Sequence, residues 1–170
     1  MTSVTYRGVE PGDAAMIADL FAQSFVETFG DLYKKEDLDS FLAGVTPEAF
    51  AAEIADTEFA LRVCEVGGQA IGFAKLGSPS LPIDTPPDTI ELWQIYVLGP
   101  WQGQGVAQRL YDWAEEEARR RGAKHLQLTV YVDNHRARSF YDRRGFTVIG
   151  RYDFMVGNHA DEDLIMRKAL

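Results

Sequence analysis

The stretch from Glu91 to Ala118 constrains the fold more than any other part of this sequence, and it reads ELWQIYVLGPWQGQGVAQRLYDWAEEEA. Its first residues, to about Leu98, have the β-branched and aromatic composition of a central strand. Apolar residues at helical spacing from Val106 predict a helix that ends near Arg121. A further strand, AKHLQLTVYV, begins at about Ala123. A strand–helix–strand unit of this kind needs a right-handed crossover and parallel strands.

The remaining segments predict antiparallel strands and short helices around that unit. A strand is expected over Val4–Val9, and a hairpin where Gly67 and Gly68 separate two apolar runs. Two strands close the chain, and helices are expected after a candidate N-cap at Asp13, over Lys35–Ala43, after a capping Thr46 and over Asn134–Arg144. This order predicts one domain over residues 1–170, of the α/β class, with a mixed sheet flanked by helices.

Charge and cysteine content narrow the classes of function. The formal net charge of −9 disfavours nucleic-acid binding, and it suits either a cationic substrate or plain solubility. Cys64 is the only cysteine and lies in an apolar run, which is typical of a core residue. The histidines lack metal-ligand spacing, so no metal is expected. Without a signal pattern or a membrane-length apolar run, a cytoplasmic protein with no membrane partner is expected.

The glycine-rich loop before the helix has two interpretations. The first amides of a helix have no intrahelical acceptor and the helix dipole adds positive charge there, so this position suits a phosphate. Gly103 and Gly105 would let a phosphate lie directly against the backbone. A tight strand-to-helix turn explains the same glycines. The loop has no Walker lysine, and Gln108 stands where the dinucleotide fingerprint needs a glycine.

A second motif follows the next strand, and together the two motifs resemble a known family. The segment DNHRARSFYDRRGF contains the skeleton N-x-x-A-x-x-F-Y-x-x-x-G-F, formed by Asn134, Ala137, Phe140, Tyr141, Gly145 and Phe146. With QGQGVA, which fits Q/R-x-x-G-x-G/A, this resembles the GNAT superfamily of acetyl-CoA-dependent N-acetyltransferases. The resemblance implies a mostly antiparallel seven-stranded mixed sheet, four or five flanking helices and a parallel strand–helix–strand core.

Acetyl-CoA is the cofactor that the resemblance implies. The backbone of Ile95, Tyr96 and Val97 would bind the pantetheine and polarise the thioester carbonyl. The diphosphate would lie against the segment formed by Gln102, Gly103, Gln104, Gly105, Val106, Ala107 and Gln108. Asn134 would contact the pantetheine and also cap its own helix.

Two side chains are the predicted catalytic residues. Tyr141 would protonate the departing thiolate, since a phenol pKa near 10 is not far above that of a thiol; it also fits a core tyrosine. Some relatives place a glutamate on the strand that reads QLTV, where this chain has Thr129. Glu91 is therefore the candidate general base, acting through water, and it also fits an exposed carboxylate at a strand edge. Tyr96 and His159 are reserve candidates.

A closer resemblance narrows the acceptor. The chain is similar to bacterial spermine/spermidine N-acetyltransferases of the Pai type in three places: FVETF, the strand–loop–helix segment and the tail FMVGNHADEDLIMRKAL. This resemblance implies direct attack by a primary amine such as a polyamine. Acidic residues of the early helices and the proline-rich loop would suit such a cation, and they also fit solvated helix faces: Glu27, Asp31, Glu36, Asp37, Asp39 and Asp84.

Several alternatives stay open at this point. The acceptor could be a protein N-terminus, as in ribosomal-protein acetylation, or an aminoglycoside. The chain could also sense acetyl-CoA without turning it over, or act as a structural partner whose glycine loop is only a turn. A homodimer is an expectation from the family.

Overall fold

The computed structural model describes residues 3–170, in which seven strands form one sheet and five α-helices pack against it. In chain order the elements are β1 (Thr5–Gly8), α1 (Ala14–Phe29), α2 (Lys35–Leu42), α3 (Pro47–Ala55), β2 (Ala60–Val66), β3 (Gln69–Gly77), β4 (Thr89–Val97), α4 (Val106–Arg120), β5 (His125–Tyr131), α5 (His135–Asp142), β6 (Thr147–Val156) and β7 (His159–Ala169). None of the helices in this part of the chain has the length and apolar content to cross a membrane.

The sheet has the strand order β1-β2-β3-β4-β5-β7-β6, and only β4 and β5 pair in parallel. This confirms the predicted mixed sheet with a parallel strand–helix–strand centre. The parallel pairing covers only three residues of each strand, Thr89–Glu91 against His125–Gln127. Beyond Glu91 the two strands separate, so the backbone of β4 has no partner strand on that side and a gap opens in the sheet.

Apolar side chains cover both faces of the sheet. On one face, the Phe21 ring of α1 lies 6.2 Å from Phe50 of α3, 6.4 Å from Phe73 of β3 and 5.0 Å from Tyr96 of β4, centroid to centroid. On the other face, α4 buries Tyr111 among side chains of β4, β5 and α5. The gap between β4 and β5 therefore connects two separately packed layers.

Turn and capping residues explain where several elements begin and end. Gly67 and Gly68 have φ angles of +58° and +81°, which the predicted two-residue hairpin turn requires. The Thr46 hydroxyl caps α3 as predicted, accepting the Ala49 N–H at 3.1 Å. Asp13 occupies the predicted N-cap position of α1, although its side chain accepts no hydrogen bond from that helix. An arginine of β1, Arg7, binds the Asp13 carboxylate at 2.7 Å instead.

Candidate active site

A cleft of about 490 Å³ occupies the gap between β4 and β5. Its walls are residues 92–97 of β4 and 128–131 of β5. At one end, which we call the helix end, the lining comes from the starts of α4 and α5. At the other, which we call the hairpin end, it comes from the end of α1 and from the β6–β7 hairpin. A long ligand can therefore enter from one layer of the fold and meet a second ligand from the other.

Backbone N–H groups without acceptors lie at the helix end of the cleft. The first amide bonded back along α4 is that of Arg109, 3.1 Å from the Gly105 carbonyl oxygen. The amides of Val106–Gln108 precede it and have no intrahelical acceptor. Gly105 has a φ of +82°, and among residues 3–170 no heavy atom lies within 4 Å of the position a Cβ would take. Free donors, the positive end of the helix dipole and open space thus coincide, which fits a phosphate.

An arginine that sequence reasoning missed adds positive charge to this loop. Arg136, in the first turn of α5, donates from Nη1 to Gln102 Oε1 at 3.0 Å. Its Nη2 lies 3.5 Å from the position that a Cβ on Gly103 would take, and Gly103 has a φ of +78°. The only sequence signal for Arg136 is its place two residues after Asn134. Because Arg136 lines the cleft beside the free amides, it completes a site for a dianionic group.

Most of the residues predicted to bind the cofactor line the cleft together: Ile95, Tyr96, Val97, Gln102, Gly103, Gly105, Ala107, Gln108, Asn134 and Tyr141. Two side chains of the predicted set do not. Gln104 donates from Nε2 to the Pro100 carbonyl oxygen at 2.9 Å and braces the loop. Val106 is buried in the core under α4. The backbone of both residues still belongs to the loop that the phosphate site requires.

Asn134 and Tyr141 of the second motif have different surroundings. Asn134 caps α5 as predicted, with Oδ1 accepting the Ala137 N–H at 3.3 Å. Tyr141 lines the cleft although only 6% of the residue is exposed. Burial raises the pKa of the Tyr141 phenol above its ordinary value, and the Arg144 charge lowers it by less. The hydroxyl is therefore protonated at neutral pH and available as a proton donor.

Glu91 does not reach the cleft, and this placement argues against the predicted general base. The residue is 5% exposed, so it is not an exposed strand-edge carboxylate either. Its Oε1 accepts the Ser80 N–H at 3.2 Å and the Gln127 amide at 3.1 Å, and its Oε2 accepts the Ser80 hydroxyl at 2.6 Å. Glu91 precedes the point where β4 and β5 separate, so its carboxylate fastens the proline-rich loop to the closed part of the sheet.

Carboxylates of β7 occupy the hairpin end instead. Asp161 accepts a hydrogen bond at Oδ2 from the Tyr33 hydroxyl, and its Oδ1 lies 3.1 Å from His159 Nε2. Asp163 is 7% exposed and also lines the cleft. Burial, and next the charge of Asp161, raise the pKa of Asp163 to about 7, while the Thr129 hydroxyl lowers it. This end of the cleft therefore carries negative charge that changes near neutral pH.

The acidic residues that the sequence suggested for the acceptor lie elsewhere. Glu27 Oε2 accepts the Gly99 N–H at 3.1 Å, and Asp37 Oδ1 accepts the Asn158 N–H at 2.9 Å. These contacts join α1 to the loop before α4 and α2 to the turn between β6 and β7. The other four are also outside the cleft lining: Asp31, Glu36, Asp39 and Asp84. Their interpretation as solvated or structural carboxylates is the one that the geometry favours.

Comparison with known proteins identifies the family of this chain. The acetyltransferase (GNAT) family model matches residues 15–146, and the chain belongs to that family. An uncharacterised N-acetyltransferase of Lactobacillus delbrueckii subsp. lactis is 28% identical over 172 residues, which cover 100% of this chain and 99% of the relative. An aminoalkylphosphonate N-acetyltransferase of Salmonella typhimurium is 30% identical over 99 residues, or 58% of this chain and 64% of the relative.

A solved structure confirms the fold. The PaiA N-acetyltransferase of Thermoplasma acidophilum, in complex with coenzyme A, superposes with a TM-score of 0.79 at 21% identity, covering 99% of each chain. The chain is accordingly an N-acetyltransferase that uses acetyl-CoA as its cosubstrate. The residues of the helix end fit that cosubstrate, because free amides, an arginine and open space at Gly105 lie together there.

Proposed function

We propose that this enzyme transfers the acetyl group directly to the nitrogen of a primary amine, without a covalent enzyme intermediate. One observation carries the proposal: a single cleft joins the free amides of α4 to the protonated hydroxyl of Tyr141. Cys64, the only cysteine in the sequence, lies fully buried in β2, and burial raises the pKa of its thiol to about 12. Since Cys64 supplies no thiolate, the acceptor amine itself attacks the thioester.

The helix end of the cleft and the part of β4 beyond Glu91 bind different parts of the cosubstrate. The amides of Val106–Gln108 and the Arg136 guanidinium balance the charge of the diphosphate. The backbone of β4 beyond Glu91 offers unpaired groups to the pantetheine and to the thioester carbonyl, which favours charge development on that oxygen. Tyr141 then donates its proton to the departing thiolate.

The hairpin end suits a cationic amine, and a polyamine is the acceptor we favour. Asp161 and Asp163 supply negative charge, and rings of Phe29, Tyr33 and Phe154 line the same end. Carboxylates and aromatic faces both attract alkylammonium groups. The net charge of −9 raises the local concentration of a multiply charged cation further.

A panel of acceptors tests the proposal, with free CoA thiol as the readout. We expect the fastest turnover with spermidine or spermine, and a kcat/KM that falls as salt is added. Turnover confined to peptides with a free N-terminus would replace the polyamine with a protein acceptor. Binding of acetyl-CoA without turnover of any amine would identify a sensor.

A further inference from the structure

We propose that Asp163 is the general base that takes the proton of the acceptor ammonium, an assignment that rests on the proposed function. It replaces Glu91, which lies outside the cleft, and it supplies the base that Thr129 on β5 does not provide. Asp163 lies on β7, so the base comes from a strand that carries neither sequence motif.

Of the two carboxylates at the hairpin end, Asp163 is the one without a basic side chain beside it, since its hydrogen-bond partner is the Thr129 hydroxyl. Both oxygens of Asp161 already face a partner, Tyr33 at Oδ2 and His159 at Oδ1. The ion pairs formed within residues 3–170 do not include Asp163. A carboxylate that is more than nine-tenths buried and lacks a cation is costly to ionise. A bound alkylammonium would supply the missing partner at the place where the reaction needs it.

The groups around Asp163 come from each neighbouring strand. Its cross-strand partners are Tyr131 of β5 and Tyr152 of β6, which share its face of the sheet. Asp161, two residues earlier, raises its pKa, and Thr129 lowers it. Within residues 3–170, no Lys, Arg or His nitrogen forms an ion pair with Asp163. The substrate itself is therefore the cation that balances the ionised carboxylate.

Tyrosines from the other layer connect Asp163 to the reaction centre. Burial is the largest cause that raises the pKa of Tyr96, followed by the charges of Tyr141 and then Asp163. Burial also raises the pKa of Tyr33, with a smaller contribution from Asp163. Tyr96 of β4, Tyr141 and Asp163 all line the same cleft. The proposed acid and the proposed base therefore face one space beside β4, where the thioester would lie.

The proton transfers balance with these two residues. The ammonium gives one proton to the Asp163 carboxylate, and the nitrogen lone pair forms the new C–N bond with the thioester carbon. The C–S bond then breaks with its electron pair on sulfur, and Tyr141 protonates the thiolate. The second nitrogen proton passes through water to the Tyr141 phenolate, and Asp163 releases its proton to solvent. The products are an N-alkylacetamide, free CoA thiol and one proton.

The ionisation of Asp163 supports this assignment. A carboxylate with a pKa of about 7 is a stronger base than an ordinary aspartate, and its ionisation changes near neutral pH. It accepts a proton from an alkylammonium, whose pKa is near 10, with a smaller penalty than an unperturbed carboxylate would. If Asp163 is the base, kcat/KM should fall as the pH drops through about 7, because the carboxylate becomes protonated; we call this fall the acid limb.

The test compares D163N, D161N and E91Q with the wild type, measuring kcat and KM for spermidine across the acid limb. We expect D163N to lower kcat by about 10²-fold or more and to abolish the limb, while acetyl-CoA affinity measured by calorimetry is unchanged. We expect D161N to keep the acid limb but to move it to lower pH, because the variant removes the negative charge of Asp161, which raises the pKa of Asp163. E91Q keeps both the wild-type kcat and the limb.

A weakly basic acceptor separates base catalysis from ion pairing. For an alkylamine made less basic by fluorine, the nitrogen is already neutral, so we expect the kcat loss in D163N to shrink. The assignment would be overturned if D163N kept the wild-type kcat and acid limb. It would also be overturned if D163N raised only the KM for spermidine and left kcat unchanged. If circular dichroism shows that D163N does not fold, the pH profile of D161N decides instead. An acid limb of D161N at the same pH as in the wild type would refute the proposal. Failure of the proposed function looks different, since the wild type would then acetylate no amine.

Discussion

Replacing Asp163 with asparagine is expected to stabilise the protein in mild alkali and to destabilise it in acid. Its pKa rises from 3.8 to about 7 in the folded chain, so ionisation costs the native state roughly 4 kcal/mol at 1.36 kcal/mol per pKa unit. Because the folded pKa is raised, the stability tied to the protonated carboxyl is complete below the unfolded pKa and is lost as pH rises through about 7. A buried asparagine amide with unsatisfied N–H donors costs about 1–3 kcal/mol, with a middle value of about 2 kcal/mol. The net effect of D163N is a gain of about 2 kcal/mol near pH 8 and a loss of about 1 kcal/mol near pH 4.

Thermal unfolding followed by circular dichroism measures this sign change. For a chain of this size, 1 kcal/mol corresponds to roughly 2–4 °C in Tm, so D163N should raise Tm by about 4–8 °C near pH 8 and lower it near pH 4. The matched control is D153N, at an exposed position of β6, which should stay within about 0.5 kcal/mol of wild type at both pH values. Destabilisation by D163N at both pH values would refute the reasoning, because it would mean that the carboxylate is paired in the native state.

Four further predictions concern the cosubstrate and the chemistry. Tyr141→Phe should lower kcat by about 10²-fold or more with little change in acetyl-CoA affinity, and an unchanged kcat would remove its hydroxyl from the mechanism. Gly105→Glu should abolish acetyl-CoA binding in calorimetry, whereas Gly105→Ala, which has the same backbone strain without the charge, should retain more of it. Arg136→Gln should weaken acetyl-CoA binding roughly tenfold, and the difference should shrink at high salt; equal affinity at low salt would contradict the proposed contact. Cys64→Ala should leave kcat unchanged while lowering Tm, and loss of turnover in a folded variant would contradict direct attack.

Local patterns predicted the elements that form the helix end of the cleft, whereas the roles of its residues came from the family that the two motifs resemble. The glycine loop, α4 and α5 each follow a strand directly, so short-range spacing fixes where Gly105, Asn134 and Tyr141 lie. Thr46 and the Gly67–Gly68 turn were predictable for the same reason, since capping and hairpin turns depend on neighbouring residues. The class and centre of the sheet followed from the order of these elements.

The hairpin end was not predictable because it depends on pairing between distant segments. Asp163 reaches the cleft only because β7 inserts between β5 and β6, a neighbour relation that sequence spacing does not encode. The position of Glu91 outside the cleft was also not predictable from local spacing. A bulge opposite Lys75 and Leu76 shifts the register within β4, so the residues before and after it do not follow one alternation. Glu91 lies in the closed part of the sheet because the parallel pairing with β5 ends there, while residues 92–97 line the opening.

A crystal structure with acetyl-CoA bound tests the central claim most directly. We expect the diphosphate oxygens to accept hydrogen bonds from backbone amides between Gly103 and Gln108, and the thioester to lie against β4 between Tyr141 and Asp163. Coenzyme density with its diphosphate away from the start of α4 would contradict the account.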